Sequence, residues 1–256
     1  MSRPPKLQAV PKYEGAERLE RVSPFLVVVG TDTGVGKTVV AAAIARALTQ
    51  LTLRVVAVKP VETGCESEIS PNEDGAILAA ATGQAEPRAA LVRLRTPVTP
   101  ALAAEAEKTT IDFDDLVARI RLLAVGADIV IVETAGGLYS PITWQYNALH
   151  LVRALEARVL LVCSDRLGAI SHVLLTLGAL ADEEVAGLVF SEPEQADLST
   201  GTNLQAVLWH AGHLRMPNCG DPMRRWLELP RVDGVEEASR QLDPLAVRLA
   251  GDLGLV

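Results

Sequence analysis

Aromatic residues are scarce in this chain of 256 residues, at 4% of the total, whereas hydrophobic residues make up 49%. A hydrophobic core must therefore be built mainly from Val, Leu, Ile and Ala. That composition suits a parallel sheet that is buried under helices. The chain is long enough for a sizeable core, and one domain is the simplest expectation at this length.

Cysteine is also rare, and Cys65, Cys163 and Cys219 are widely separated, without any C-x-x-C pair. This spacing offers neither a disulfide framework nor a zinc site. No stretch of the sequence approaches the roughly 18 apolar residues of a membrane span, and the amino terminus lacks the apolar segment of a signal peptide. We therefore expect a protein of the reducing cytoplasm that has no membrane partner.

Basic residues are outnumbered, with 24 Lys and Arg against 32 Asp and Glu, which gives a formal net charge of −8. This balance argues against a general affinity for nucleic acid or anionic membranes, since both depend on clustered basic side chains. A small-molecule partner is favoured. Residues 1–24 carry several prolines among charged residues, so we expect a flexible extension there, followed by a single domain over residues 25–256.

The strongest motif is the glycine-rich segment Gly30–Thr38, with the sequence GTDTGVGKT. It matches the phosphate-loop pattern of a leading glycine followed by Gly-Lys-Thr, and it lies between a β-branched apolar run at 25–29 and an alanine-rich helical pattern at 39–51. In such a loop the backbone N–H groups surround phosphate oxygens, Lys37 reaches the β- and γ-phosphates, and the Thr38 hydroxyl binds Mg²⁺. The alternative is a glycine turn that carries Lys-Thr by chance, but the flanking strand and helix favour a nucleotide site.

The remaining chain alternates between short apolar runs and helical patterns. Further strands are predicted at 54–60, 128–133, 158–163 and 184–190. Helices are predicted at 75–81, 101–106, 112–125, 144–156, 169–181, 202–209 and 235–253. This alternation predicts an α/β fold of the P-loop NTPase type, with a mostly parallel sheet between helices on both faces in a three-layer α/β/α arrangement.

Polar residues follow two of these strands, where ligands bind in open parallel sheets. Lys59, Glu62 and Thr63 come at the end of one strand and are expected beside the phosphate loop, although a solvated lysine is the alternative for Lys59. Glu133 ends another strand just before two glycines, which is the position of a second Mg²⁺ contact. Asp74 is either a first-turn helix acid or a further Mg²⁺ contact, and spacing alone leaves both open.

Taken together, these stretches resemble the dethiobiotin synthetase family over roughly residues 25–192. Four pieces match in order: the phosphate loop, the segment Lys59–Gly64 (KPVETG), Asp74, and the segment Glu133–Gly137 (ETAGG) with Pro141 after it. The combination is much more specific than any one piece.

The resemblance implies an ATP- and Mg²⁺-dependent enzyme that closes the ureido ring of dethiobiotin in biotin biosynthesis. Its expected substrates are 7,8-diaminononanoate, CO₂ or bicarbonate, and ATP, and its expected chemistry passes through a phosphorylated carbamate. By the same resemblance Lys37 and Lys59 are catalytic, while Thr38, Asp74 and Glu133 bind the metal. The expected nucleotide-binding residues are Thr33, Gly34, Val35, Gly36, Lys37, Thr38, Asp74, Glu133, Thr134, Ala135, Gly136 and Ser191. The expected substrate-binding residues are Thr63, Gly137, Leu138 and Pro141.

Three positions depart from the family pattern. Thr134 replaces a glycine and would add a side chain beside the phosphate site, and Arg166 replaces a frequent lysine. Ser191-Glu192 stands where the family commonly has Asn-Asp reading adenine. The lost amide removes a donor and acceptor pair, so other nucleotides such as CTP remain candidates beside ATP.

The family is dimeric, and the resemblance implies a homodimer in which residues 137–147 face the partner chain. Exposed Leu138, Tyr139 and Trp144 would be consistent with such an interface, although all three could pack internally. An amidating ligase is disfavoured because the chain has no room for a glutaminase domain. A partitioning ATPase is disfavoured because its loop carries an extra lysine. A nucleotide-binding regulatory relative without synthetase activity stays as the alternative.

Overall fold

The computed structural model describes residues 24–214 and 226–256. Its strands are β1 (Phe25–Gly30), β2 (Val55–Val58), β3 (Val61–Thr63), β4 (Val92–Leu94), β5 (Ile129–Gly137), β6 (Arg158–Ser164), β7 (Val185–Ser191) and β8 (Trp226–Leu229). Its helices are α1 (Lys37–Gln50), α2 (Asp74–Thr82), α3 (Pro100–Ala106), α4 (Phe113–Leu123), α5 (Ala148–Ala154), α6 (Ala169–Ala179), α7 (Asn203–Leu214) and α8 (Val235–Asp252). Apart from Pro24, the predicted extension lies outside the described residues.

The main sheet of the described chain has six strands in the order β2-β5-β1-β6-β7-β8, and every neighbouring pair is parallel. Strands β3 and β4 form a separate two-stranded parallel sheet. The strand β1 lies in the middle of the larger sheet, so its carboxyl end, where the phosphate loop begins, is flanked by the ends of β5 and β6. The predicted P-loop type of α/β fold is confirmed.

Both faces of the main sheet are apolar because helices cover both. Along β1, Val27 and Val29 face a core that includes residues of α3, α4, α5, α6 and α7. Leu26 and Val28 face the opposite core, which is formed with α1, α2 and α8. Each fully buried Val or Leu side chain contributes about 1.5–3 kcal/mol to folding. This alternation along a run that is apolar throughout confirms the three-layer α/β/α arrangement.

One helix starts later than the sequence pattern indicates. The predicted helix over 144–156 begins at Ala148, because Asn147 caps it: the Asn147 side chain accepts from the His150 N–H at 3.3 Å and the His150 ring accepts from the Asn147 N–H at 3.2 Å. The four residues before the cap form a turn instead, in which the N–H of Ile142 donates to the Tyr146 carbonyl at 2.9 Å.

None of the helices in the described part of the chain combines the length and the apolar composition that crossing a bilayer requires.

Candidate active site

The phosphate loop connects β1 to α1 at the centre of the sheet. The residue that caps α1 is Gly36, whose φ of 91° lies in the left-handed region that favours glycine. A Cβ atom at Gly36 would also approach the Ser191 Oγ to 2.7 Å. The loop is therefore held in its turn by a glycine that has no room for a side chain, with the N-terminus of α1 directed at the space above the sheet.

A cavity of about 720 Å³ opens above this loop, at the carboxyl ends of the strands. Its lining combines loop glycines, ionisable side chains and hydroxyl groups. The lining residues that the sequence predicted are Thr33, Gly34, Gly36, Lys37, Thr38, Lys59, Thr63, Asp74, Glu133, Ala135 and Gly136. The structure thus brings together most of the predicted site in one cavity of a size that suits a nucleotide and a small substrate.

Four side chains form a connected network at the floor of the cavity. The Nζ atom of Lys59 lies 2.6 Å from a carboxylate oxygen of Asp74 and 2.6 Å from one of Glu133. The Thr38 Oγ1 lies 2.8 Å from an oxygen of each of the same two carboxylates. Because a hydroxyl has one proton, it can donate to only one carboxylate at a time. Asp74, which the sequence left open, belongs to this network.

Burial and charge set the ionisation of the network. Burial alone would lower the pKa of Lys59, but Glu133 and Asp74 outweigh it and raise that pKa above its usual range. Burial would raise the pKa of Asp74, yet Lys59 and the Thr38 hydroxyl hold it below its usual range. Burial raises the pKa of Glu133, and Lys59 offsets part of that effect. Lys59 is therefore protonated, and its ammonium group neutralises the buried carboxylate of Glu133 and the partly exposed carboxylate of Asp74.

The second lysine, Lys37, lies along the phosphate loop and donates from Nζ to the Asp32 carbonyl at 2.8 Å. Burial, together with the positive charge of Lys59, lowers the pKa of Lys37 to about 8. An anionic ligand in the cavity would offset both effects and favour the charged form of Lys37. Two ammonium groups therefore border the space in which phosphate groups would bind.

The oxygen atoms of Thr38, Asp74 and Glu133 fit a divalent cation such as Mg²⁺. All three groups offer hard oxygen ligands, and one carboxylate oxygen of Asp74 and one of Glu133 each lie 2.8 Å from the Thr38 Oγ1. The Glu133 Oε2 atom is buried and has no hydrogen-bond partner among the described residues. A buried carboxylate oxygen without a hydrogen-bond partner at this place is available as a ligand atom for a metal ion.

Several predicted residues do not line the cavity. Leu138 is buried in the core with 4% of its surface exposed, so of the two alternatives that the sequence left open for it, internal packing is the one observed. Thr134 is also buried, and its hydroxyl donates to the Val28 carbonyl at 3.1 Å, so its side chain packs into the sheet instead of standing beside the phosphate site. The other predicted residues outside the lining are Val35, Gly137, Pro141 and Ser191. Ser191 borders the loop from outside, against Gly36.

Two hydroxyl residues, Thr99 and Ser140, line the cavity without having been predicted. The Ser140 Oγ accepts from the Gly137 N–H at 2.9 Å, and Thr99 Oγ1 lies 3.3 Å from the Pro141 carbonyl. The sequence signal that could have identified Ser140 is its position shortly after the Gly-Gly pair, and the signal for Thr99 is its position between two prolines. Glu62 was expected beside the loop and does line the cavity, but its contact with α2 was not predicted.

Comparison with known proteins identifies the chain's relatives. The AAA domain family matches residues 25–238. An ATP-dependent dethiobiotin synthetase BioD from Caulobacter sp. (strain K31) is 42% identical over 175 residues, which cover 66% of this chain and 76% of the relative. Another from Caulobacter vibrioides (strain NA1000 / CB15N) is 37% identical over 208 residues, which cover 77% of this chain and 93% of the relative.

Among solved structures, a ParA family ATPase from Chlorobium tepidum TLS superimposes with a TM-score of 0.50 at 16% identity, covering 90% of this chain and 93% of that one. This likeness concerns the fold alone. The relatives and the cavity geometry agree with the four sequence pieces, and the chain belongs to the ATP-dependent dethiobiotin synthetase family.

Proposed function

We propose that this protein is an ATP-dependent dethiobiotin synthetase of biotin biosynthesis, which closes the ureido ring from 7,8-diaminononanoate, CO₂ and ATP. The observation that carries the proposal is the network of Lys59, Asp74 and Glu133 with Thr38 of the phosphate loop, in a chain that is 37–42% identical to Caulobacter enzymes of that name. A nucleotide-binding relative without synthesis could use both carboxylates to hold Mg²⁺, so the argument against that alternative rests on the retained Lys59 and on the relatives.

For this reaction the protein mainly has to position the substrates and to provide positive charge at the phosphates. The carbamate oxygen, formed from one amine and CO₂, attacks the γ-phosphorus and displaces ADP. The second amine then attacks the carbamate carbon, expels phosphate and closes the ring. The substrate supplies both nucleophiles, so this chemistry needs no nucleophilic side chain from the protein.

The side chains that act on this reaction are proposed as follows. The N–H groups of the phosphate loop and the ammonium groups of Lys37 and Lys59 hold the phosphates and offset the charge that develops during phosphoryl transfer. Thr38, Asp74 and Glu133 would hold Mg²⁺, which supplies further charge neutralisation at the phosphates when bound. Thr63, on the cavity wall, would contact the diamine or its carbamate.

We also propose a homodimer. Residues 137–147 run beside the cavity, and Tyr139 and Trp144 expose 64% and 60% of their surface. The neighbouring Val98 and Leu102 expose 41% and 45%, and the Ala101 N–H that precedes Leu102 donates to the Pro141 carbonyl. An apolar surface of this kind is typical of a protein interface. Sedimentation at micromolar concentration should give a dimer, and a Trp144→Ser variant should shift it toward monomer. A parent protein that sediments only as monomer would contradict this proposal.

The cytoplasm is the compartment that we propose for this enzyme, because Cys65 and Cys163 are buried free thiols of the kind that a reducing environment maintains.

The test of the main proposal is synthesis itself. Purified protein is incubated with 7,8-diaminononanoate, bicarbonate, Mg²⁺ and either ATP or CTP, and dethiobiotin is measured by mass spectrometry. We expect product with ATP, and the CTP reaction reports on base choice. Nucleotide binding without any product would favour the regulatory alternative instead.

A further inference from the structure

Glu62 stands out as a buried charged residue of the cavity wall that the reaction does not use. It lies on β3 with 7% of its surface exposed. Both of its carboxylate oxygens accept backbone hydrogen bonds: Oε1 from the Asp74 N–H at 2.6 Å, and Oε2 from the Gly75 N–H at 3.0 Å. Its carboxylate is therefore committed to the first two residues of α2.

This contact replaces a cap that α2 does not obtain from its own sequence. The N-cap residue Glu73 makes no side-chain capping hydrogen bond in the described structure. Its carboxylate is bound instead by Arg93, whose Nε lies 2.8 Å from Oε2. The first N–H groups of a helix have no partner within the helix, and an acid at this end also interacts favourably with the helix dipole. From the neighbouring strand β3, Glu62 supplies both the hydrogen-bond acceptor for these N–H groups and the acid at the N-terminal end of the helix dipole.

The packing of α2 leaves little freedom around this contact. A Cβ atom on Gly75 would overlap the backbone of Ala89 and Ala90, so the start of α2 sits directly against that segment. With its backbone fixed from both sides, Asp74 directs one carboxylate oxygen to within 2.8 Å of the Thr38 Oγ1 and the other to within 2.6 Å of the Lys59 Nζ. The position of a proposed metal ligand thus depends on a bond made by its own N–H group.

A direct ligand role for Glu62 is less well supported. Glu62, Cys65 and Glu73 have potential metal-binding atoms within 4.8 Å of one another. However, the Glu62 oxygens already accept from two N–H groups, and the Glu73 oxygens already accept from Arg93. These commitments favour a structural use of both carboxylates.

We propose that Glu62 is a positioning residue, which fixes the N-terminus of α2 so that Asp74 is held beside Thr38 and Lys59 for Mg²⁺-nucleotide binding. The inference rests on the proposed function only for the identity of the ligand. It assigns Glu62 no contact with the reacting atoms.

The test uses Glu62→Gln in the full-length protein, with Glu68→Gln as a matched control on the exposed loop nearby. Glutamine keeps the size of the side chain, but its amide NH₂ would face one of the two N–H donors, so at least one bond is lost. Amide hydrogen exchange, measured by mass spectrometry with EDTA and without nucleotide, should be about tenfold faster at residues 74–75 in Glu62→Gln, as expected for the loss of a hydrogen bond to a charged group. The control should exchange like the parent.

The second readout is Mg²⁺ binding. The Mg²⁺ concentration that gives half-maximal ADP binding should rise about tenfold in Glu62→Gln, a change of the size expected from one such hydrogen bond, while kcat at saturating Mg²⁺ stays within about twofold of the parent. Glu62→Asp, which has the charge but a shorter reach, should fall between Glu62→Gln and the parent in both measurements. A purely structural loss would lower kcat and the amount of folded protein without changing the Mg²⁺ midpoint.

An unchanged exchange rate at residues 74–75, or a Mg²⁺ midpoint that stays at the parent value, would overturn the positioning role. A fall in kcat that excess Mg²⁺ does not restore would overturn it as well, because Glu62 would then act on the reaction directly. If the parent binds Mg²⁺-ADP but makes no dethiobiotin, the proposed function fails, while amide exchange and the Mg²⁺ midpoint of ADP binding still decide the role of Glu62.

Discussion

Replacing Lys59 with methionine should strongly destabilise the ligand-free protein. The Lys59 side chain is 5% exposed, and it is the cation nearest to Glu133, whose side chain is 1% exposed. Methionine is of similar length, so most packing is kept and the main change is the loss of charge. Removing one partner of a buried ion pair costs about 3–5 kcal/mol. At roughly 2–4 °C per kcal/mol for a chain of this size, the melting temperature should fall by about 6–20 °C.

A double-mutant cycle separates the ion pair from packing effects. Glu133→Gln should cost less than Lys59→Met, because Lys59 keeps its contact with Asp74 at 2.6 Å, and that carboxylate is 35% exposed. The double variant should lose about 1–3 kcal/mol less than the two single losses added together, because neither charge is then left unpaired. Urea unfolding in EDTA without nucleotide measures all four proteins, and Lys108→Met, on an exposed lysine, should stay within about 0.5 kcal/mol of the parent. Additive losses, or a Lys59→Met midpoint equal to that of the parent, would refute the ion-pair reasoning.

Gly36→Ala should weaken ADP binding at least tenfold in calorimetry, because its φ is 91° and the new Cβ would meet Ser191, whereas Gly178→Ala, in open space on α6, should bind like the parent. ADP at a hundred times its Kd should stabilise the protein by about 2.7 kcal/mol with Mg²⁺, and EDTA should remove most of that shift in a thermal melt, while equal shifts would argue against a metal site. Burial raises the pKa of Cys163 to about 11, so only about one thiol in a thousand is ionised at pH 8. Its alkylation at pH 8, mapped by mass spectrometry, should be slow in the native protein and fast in urea, and fast native labelling would show that this region opens.

The network at the cavity floor was predictable because the direction of the parallel strands determines where its residues lie. Lys59 and Glu133 lie far apart in sequence, yet each follows an apolar run that predicts a strand. In a parallel sheet the carboxyl ends of all strands reach the same edge. The observed order places β2 next to β5 and β5 next to β1, so the ends that carry Lys59, Glu133 and the phosphate loop are neighbours. The order of the strands along the sequence did not determine their order in the sheet. However, any sheet in which these strands are adjacent would bring Lys59, Glu133 and the phosphate loop together.

The short strands escaped prediction because their signals are too weak to separate from turns. Strands β3 and β4 have three residues each, and they pair with each other outside the main sheet. Strand β8 has four residues and contains Glu228, so it does not read as a buried run. Its stability comes from pairing with β7, including the register of Leu188 with Trp226, a long-range contact that no local pattern reports. Segments of this length become strands only when a neighbour provides the ladder.

Glu62 shows where sequence reasoning about the site stops. An acid at the end of a strand is expected beside the phosphate loop. That expectation predicts the location of Glu62 in the cavity wall correctly, but it does not predict the contacts of Glu62 with α2. The distinction depends on Arg93, which binds Glu73 and so leaves the start of α2 without its own cap. Three side chains from β3, β4 and the residue before α2 must be in place before the role of Glu62 can be recognised. Such a relation is a property of the assembled fold, because each residue alone has an ordinary explanation.

The lysine in the network also explains how the ligand-free protein tolerates its own metal site. Two carboxylates directed at one point, one of them fully buried, would repel each other and resist ionisation without a cation between them. Lys59 provides that cation in the absence of Mg²⁺, and as an ammonium on a long flexible stem it can turn from the carboxylates to phosphate oxygens more readily than a planar guanidinium. An arginine at this position should therefore stabilise the resting pair yet lower kcat, since its fork would stay bound to Asp74 and Glu133. A Lys59→Arg variant that melts no lower than the parent but loses most of its turnover is the expected result, whereas full turnover would show that the site does not depend on the release of this group.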